Sequence, residues 1–317
     1  MIQIKDILIP TDFSDTSSAA LGHASMIAER FNADLTILHV DTSTEATREE
    51  AFPVLEPEMD ETEKAAEREV LQLTGMKTPK NLRVRRVLTR NEHPAEEIVL
   101  YTRDHAVDLV IVGTHGRSGL SHLILGSVAE KVIRQAHCPV ITVRASGAAA
   151  KVTPYLNILV PFDFSPHSEK ALFYAWSLAK LFHAHLNILH IVDIPVHPEH
   201  YAVNLNLSGE FGHELMLRSH EELERMIAPY QPANVRYRIV VEFGRAYNEI
   251  VEFATKHESD LVVMGTQGLS GLQKFLLGST TAKVVRHAPC PVLTVKPEAR
   301  DFVSSAPRTA VTGKNPR

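Results

Sequence analysis

Short apolar runs, bounded by proline or polar residues, alternate along the chain with segments whose apolar residues return every third or fourth position. "IKDILIP" is a run of the first kind and reads as a buried strand. Behind it, Leu21, Ala24, Ile27, Ala28 and Phe31 fall at helical spacing. "DLTILHV" returns to strand, and "EKAAEREVLQLTG" predicts a helix ending at Gly75. "LRVRRVLT" alternates as a strand does. "HPAEEIVLYTRDH" is helical, with proline at an early position where its missing N–H costs nothing. "VDLVIV", "SVAEKVIRQAH" and "PVITVR" follow as strand, helix and last strand. Such alternation implies parallel βαβ units in a doubly wound, Rossmann-like α/β fold with five strands per sheet. Ligands of these sheets sit outside the carboxyl ends of the strands, near the switch point.

The whole pattern runs twice. "ILIPTDFSDTSSAAL" at Ile7 matches "ILVPFDFSPHSEKAL" at Ile158, and "HCPVITVR" at His137 matches "APCPVLTVK" at Ala288. Asp12 to Asp163 and His39 to His190 are both offsets of 151, whereas Gly113 to Gly265 and Cys138 to Cys290 are both 152. Offsets this constant mean two copies of one domain. They place domain 1 at 1–145, a small-residue linker at 146–154, domain 2 at 155–297 and a mobile tail at 298–317.

Apolar content of 44% and charged content of 22% fit a soluble globular protein. A net charge of −5 offers no general footprint for nucleic acid. Two cysteines in 317 residues argue for a reducing compartment rather than a disulfide scaffold. The N-terminus shows no signal-peptide pattern and no run approaches a membrane span, so the expected setting is cytoplasm, with no membrane partner.

Candidate chemistry lies in "GTHGRSGLSHLILGS" and its copy "GTQGLSGLQKFLLGS", each directly after an apolar strand. Both read G-x2-G-x9-G-S, through Gly113, Gly116, Gly126 and Ser127, and through Gly265, Gly268, Gly278 and Ser279. A glycine without Cβ lets backbone N–H groups approach an anion, and a helix N-terminus adds unpaired donors. Each serine hydroxyl is placed to contact a phosphate or its Mg²⁺. The segment is neither a Walker A motif nor a dinucleotide fingerprint. One glycine loop alone reads equally well as a tight turn, but two copies at fixed spacing favour phosphate binding. Asp12 and Asp163 follow the first strand of each half. Two readings stand: a cap or Asx turn into the next helix, or a bond to ribose or adenine, with Ser14 and Ser165 serving as caps.

With "ILIPTDFS", "ILHV", "GTHG", "LILGSVAEKV" and "CPVITVR" each present twice in kind, the chain resembles a tandem-domain member of the universal stress protein family. The resemblance implies the adenine nucleotide alpha hydrolase-like variant of the fold and an ATP-binding subgroup, which keeps the glycine motif. By resemblance the motif residues hold phosphates, Asp12 and Asp163 hold the nucleoside end, and backbone at Val40 and Ile191 meets adenine. It also implies an intramolecular pseudo-dimer through the last strands, a possible homodimer, and a role in stress adaptation or signalling. His115 and Arg117 become Gln267 and Leu269 in the second loop, so equal nucleotide affinity in both halves is not expected.

Hydrolysis needs a positioned base for water, and no residue at motif spacing supplies one. The His-x-Gly-His signature of nucleotidyl-transferase relatives occurs in neither half. The rival readings are a slow ATPase, a zinc-dependent hydrolase, and an interaction module with one degenerate site. The zinc reading rests on His197 and His200 in the histidine-rich loop of the second half, whose bland alternative is a polar loop. His190 has a twin in His39 and is expected to serve the fold. Cys138 and Cys290 are expected to be small buried hydrophobes. Lys131 and Lys283, one turn after the serines, are expected to face solvent.

Overall fold

A computed structural model describes residues 3–42, 82–114, 125–144, 152–193, 210–230, 234–268 and 277–297. The helix expected to end at Gly75, most of the linker, the tail, Gly116, His197 and His200 lie outside these residues.

Domain 1 runs β1 (Asp6–Thr11), α1 (Asp15–Phe31), β2 (Asp34–Asp41), β3 (Val84–Arg90), α2 (Pro94–Asp104), β4 (Leu109–Gly113), α3 (Ser127–Gln135) and β5 (Val140–Val143). Domain 2 runs β6 (Asn157–Pro161), α4 (Pro166–Phe182), β7 (His185–Val192) and α5 (Glu210–Ile227), then β8 (Arg236–Phe243), α6 (Ala246–Lys256), β9 (Leu261–Gly265), α7 (Ser279–His287) and β10 (Val292–Val295). Each domain contributes five strands in mutually parallel register, in the orders β3-β2-β1-β4-β5 and β10-β9-β6-β7-β8.

The central strands are apolar on both faces because helices cover both. In β1, Ile7 and Ile9 pack into the layer of α1, whereas Leu8 packs with Ile133 of α3 in the opposite layer. The edge strand β3 has no fully buried residue, its positions being half-buried or exposed. Helix α1 starts at Ser14, whose side chain accepts from Ser17 N, and ends on Asn32 in the left-handed region at φ 51°. Helix α4 repeats the device with Ser165 and His183. Of the two readings left open by the sequence, the observed caps are Ser14 and Ser165.

The two sheets meet through β5 and β10, which pair antiparallel at Val140–Thr294, Ile141–Leu293 and Thr142–Val292. Thr142 Oγ1 donates to Val292 O at 3.2 Å and Thr294 Oγ1 to Val140 O at 3.1 Å. Beyond the strands, each domain caps a helix of the other. Lys296 Nζ donates to Arg134 O at 3.0 Å and Ala136 O at 2.6 Å, at the C-terminus of α3. Arg144 donates to Ala288 O at 3.2 Å, at the C-terminus of α7. Cations at helix C-termini satisfy orphan carbonyls and oppose the negative end of the dipole.

Candidate functional site

In domain 1 the strand order turns back between β1 and β4, and a crevice of about 310 Å³ opens at the carboxyl ends of the strands there. It brings together Asp12, Val40, Gly113, Gly126 and Ser127. The equivalent crevice of domain 2 measures about 620 Å³ and brings together Asp163, Ile191, Gly265, Gly268, Gly278 and Ser279. Of the expected residues, Gly116 alone in this set lies outside the description.

The aspartates make the Asx turns of the first reading and also line the crevices. Asp12 Oδ1 accepts from Ser14 N at 3.2 Å and from Ser14 Oγ at 2.7 Å, and Asp163 Oδ1 accepts from Ser165 N at 3.1 Å. These are Asx turns, but the helix caps are the serines, and both carboxylates line their crevices. Phe13 and Phe164, the residues after them, sit at φ 63° and 61°. A bulky side chain in that region is strained backbone, placed here directly after the crevice-lining aspartate in both copies.

Val40 and Ile191 reach the crevices through strand length. Pairing of β1 with β2 stops at Thr11–His39, one residue before Val40, and pairing of β6 with β7 stops at Pro161–Leu189, two before Ile191. The longer strand thus presents its edge to the crevice.

Glycine at 113 and 265 is a packing requirement. A Cβ on Gly113 would lie 2.8 Å from Thr16 Cγ2 and 3.1 Å from the Thr16 carbonyl carbon. On Gly265 it would lie 2.6 Å from His167 Cβ. The strand end and the first turn of α1 or α4 approach that closely. Gly126 and Gly278 are the N-caps of α3 and α7, with no side-chain cap. Thr114 ties this helix start to the sheet: its N donates to Val143 O at 2.9 Å, and its O accepts from Gly126 N at 2.8 Å. Thr266 does the same between Val295 and Gly278 at 3.0 and 2.8 Å.

No lysine or arginine is found among the described lining residues of either crevice. Lys131 instead pairs with Glu96 at 2.6 Å, and that hydrogen bond holds the Glu96 carboxyl below the usual range. Lys283 Nζ lies 4.4 Å from the centre of the Tyr247 ring. Among the described residues, the groups at the start of α3 and α7 are backbone amides at a helix N-terminus.

His39 Nδ1 stands 2.8 Å from Thr11 O and His190 Nδ1 2.8 Å from Phe162 O. A carbonyl only accepts, so Nδ1 donates in each ring. The pair serves the shared fold as expected, and it also lines the crevices, as do Thr11, Ser17, Pro94 and Ile98 in domain 1. The sequence reading missed those residues, although the repeat of His39 at His190 was a usable signal. Among the described residues, no group of three or more His, Cys, Asp or Glu is placed to hold a metal. No helix there is long and apolar enough to cross a membrane.

Cys138 and Cys290 are both buried free thiols. Burial, with Asp260 adding to it, pushes the Cys290 thiol up to about 12. Iodoacetamide at pH 8 is expected to leave both cysteines unmodified in the folded chain and to label both in urea. Labelling of Cys290 at the unfolded rate would contradict its burial.

Two repeated α/β domains, each with a crevice at its switch point, define a tandem of Rossmann-like modules. The universal stress protein family model matches residues 3–144 and again 154–296, and the chain belongs to that family. It is 37% identical over 145 residues to universal stress protein MJ0531 of Methanocaldococcus jannaschii, covering 45% of this chain and 82% of that protein. It is 32% identical over 144 residues to universal stress protein YxiE of Bacillus subtilis, covering 44% of this chain and 97% of that one. Over 93% of its length it superposes on the crystal structure of a universal stress protein from Archaeoglobus fulgidus, covering 97% of that chain, with a TM-score of 0.65 and 20% identity.

Proposed function

We propose that the chain is an ATP-binding protein of stress adaptation or signalling, with one nucleotide site in each domain. The observation that carries this reading is the start of α3 and of α7: a glycine N-cap with no capping side chain, at the mouth of a strand-end crevice. Unpaired amides and the positive end of the helix dipole there suit phosphate oxygens. Ser127 and Ser279 would contact a phosphate or its Mg²⁺, and Mg²⁺ would offset the phosphate charge. Asp12 and Asp163 would accept from ribose hydroxyls, and the edges at Val40 and Ile191 would meet adenine. In this reading the two domains act as an intramolecular pseudo-dimer.

The test is mass spectrometry of ligands released from the native protein, followed by thermal unfolding with millimolar Mg-ATP. Ligand at one hundred times its dissociation constant stabilises the folded state by about 2.7 kcal/mol. A protein that carries no nucleotide and gains no thermal stability from Mg-ATP would refute the reading.

A further inference from the structure

A third cavity, of about 360 Å³, opens in domain 2 between α4 and the end of α5. It shares only Phe162 with the crevice described above. Its size lies in the range of small-molecule sites. Three aromatic residues, Phe162, Phe173 and Trp176, form one wall, and Met226 and Ile227 line the other. At the constant offset of 151, the domain-1 counterparts of those aromatics are Thr11, Gly22 and Ser25. The aromatic wall therefore belongs to domain 2 alone, where Phe162 and Trp176 also join the buried core.

The wall is held rigid. Trp176 is 3% exposed and meets Tyr237 edge-on, with ring centroids 5.1 Å apart. Its indole N–H is buried and has no hydrogen-bond acceptor among the described residues. A buried orphan donor is costly to leave without a partner.

Two exposed side chains of opposite charge, Glu169 and Arg225, line the same cavity. They do not pair with each other, and neither takes part in an ion pair among the described residues. An apolar pocket flanked by a separated carboxylate and guanidinium matches one ligand chemistry closely. That ligand carries an ammonium, a carboxylate and an apolar side chain on one small frame.

We propose that this cavity binds a free hydrophobic α-amino acid. The side chain lies against Trp176 and Phe173, the ammonium donates to Glu169, and the carboxylate accepts from Arg225. Guanidinium recognition of a carboxylate is directional, and the carboxylate at the other side excludes simple fatty acids. The site is independent of the nucleotide reading and gives domain 2 an input that domain 1 lacks.

Trp176 is the one tryptophan of the chain, so its emission reports directly on the cavity. The full chain is titrated with L-leucine and L-phenylalanine, then with 4-methylpentanoate and 3-methylbutylamine, which each lack one charge. Saturable change with the two amino acids is expected, with each one-charge analogue weaker by roughly tenfold. Arg225→Gln and Glu169→Gln, both at exposed positions, are each expected to weaken leucine by a similar factor. No response to either amino acid overturns the proposal. Equal affinity for 4-methylpentanoate, or unchanged affinity in both variants, overturns the zwitterion assignment. Displacement of leucine by Mg-ATP would place the response in the neighbouring crevice and overturn the site.

Discussion

Asp108→Ala is expected to destabilise domain 1 by about 2 kcal/mol or more, read as a fall in the urea midpoint of its unfolding. The Asp108 carboxylate is 7% exposed, and its Oδ2 accepts from Lys5 N at 2.8 Å and Asp6 N at 3.1 Å. Asp108 N in turn donates to Asp6 O at 2.9 Å. One side chain thus fastens the entry of β1 to the entry of β4, the two strands that flank the crevice. Alanine leaves two backbone donors without that acceptor, and asparagine, which keeps an oxygen there, is expected to restore part of the loss. Asp260 makes the same clasp in domain 2, accepting from Leu156 N at 2.9 Å and Asn157 N at 2.8 Å. An alanine variant as stable as the parent would show that these bonds add nothing net.

The second large effect falls on ligand binding. Gly268→Ala is expected to weaken nucleotide binding in domain 2 by roughly tenfold or more while the chain stays folded. A Cβ at 268 would lie 2.4 Å from Asp163 Oδ2, so the carboxylate must turn away. That movement removes the acceptor proposed for the ribose and disturbs the Asx turn to Ser165. Calorimetry in an Asp12→Ala background isolates the second site. Affinity there equal to that of the Asp12→Ala parent would show that Asp163 does not hold the nucleoside.

Much of this molecule was legible in the chain because its signals are local. The period of apolar residues separates strands from helices, as in β1 against α1. A cap in "DFS" before each apolar stripe was legible, and the structure decided that Ser14 and Ser165 rather than the aspartates make it. The glycines at 113 and 265 stood out in the sequence as room for an anion, and the structure shows their clearance taken up by Thr16 and His167 at the start of α1 and α4. Their spacing to Gly126 and Gly278 is set by one loop, so it survives as a motif in both copies.

Other features have no local signature. Asp108 and Asp260 look like ordinary acidic residues ahead of an apolar run, and their partners lie more than one hundred positions away. Arg144 and Lys296 look like charges that end a strand. The antiparallel contact of β5 with β10 is what carries each to the helix C-terminus of the opposite domain. The crevices differ in volume, about 310 against 620 Å³, although their motifs are nearly the same. In domain 2, Leu215, Ser219 and Glu222 of α5 line the wall, and an element's distance from a crevice is not written in its sequence.

Sequence alone determined the repeat, the α/β layering and the glycine-serine positions, because hydrophobic period and backbone clearance act over a few residues. Tertiary structure alone decided which distant side chains close the sheet, cap the helices and wall the Trp176 cavity. Those contacts are fixed by packing between elements, where sequence separation carries no information about distance.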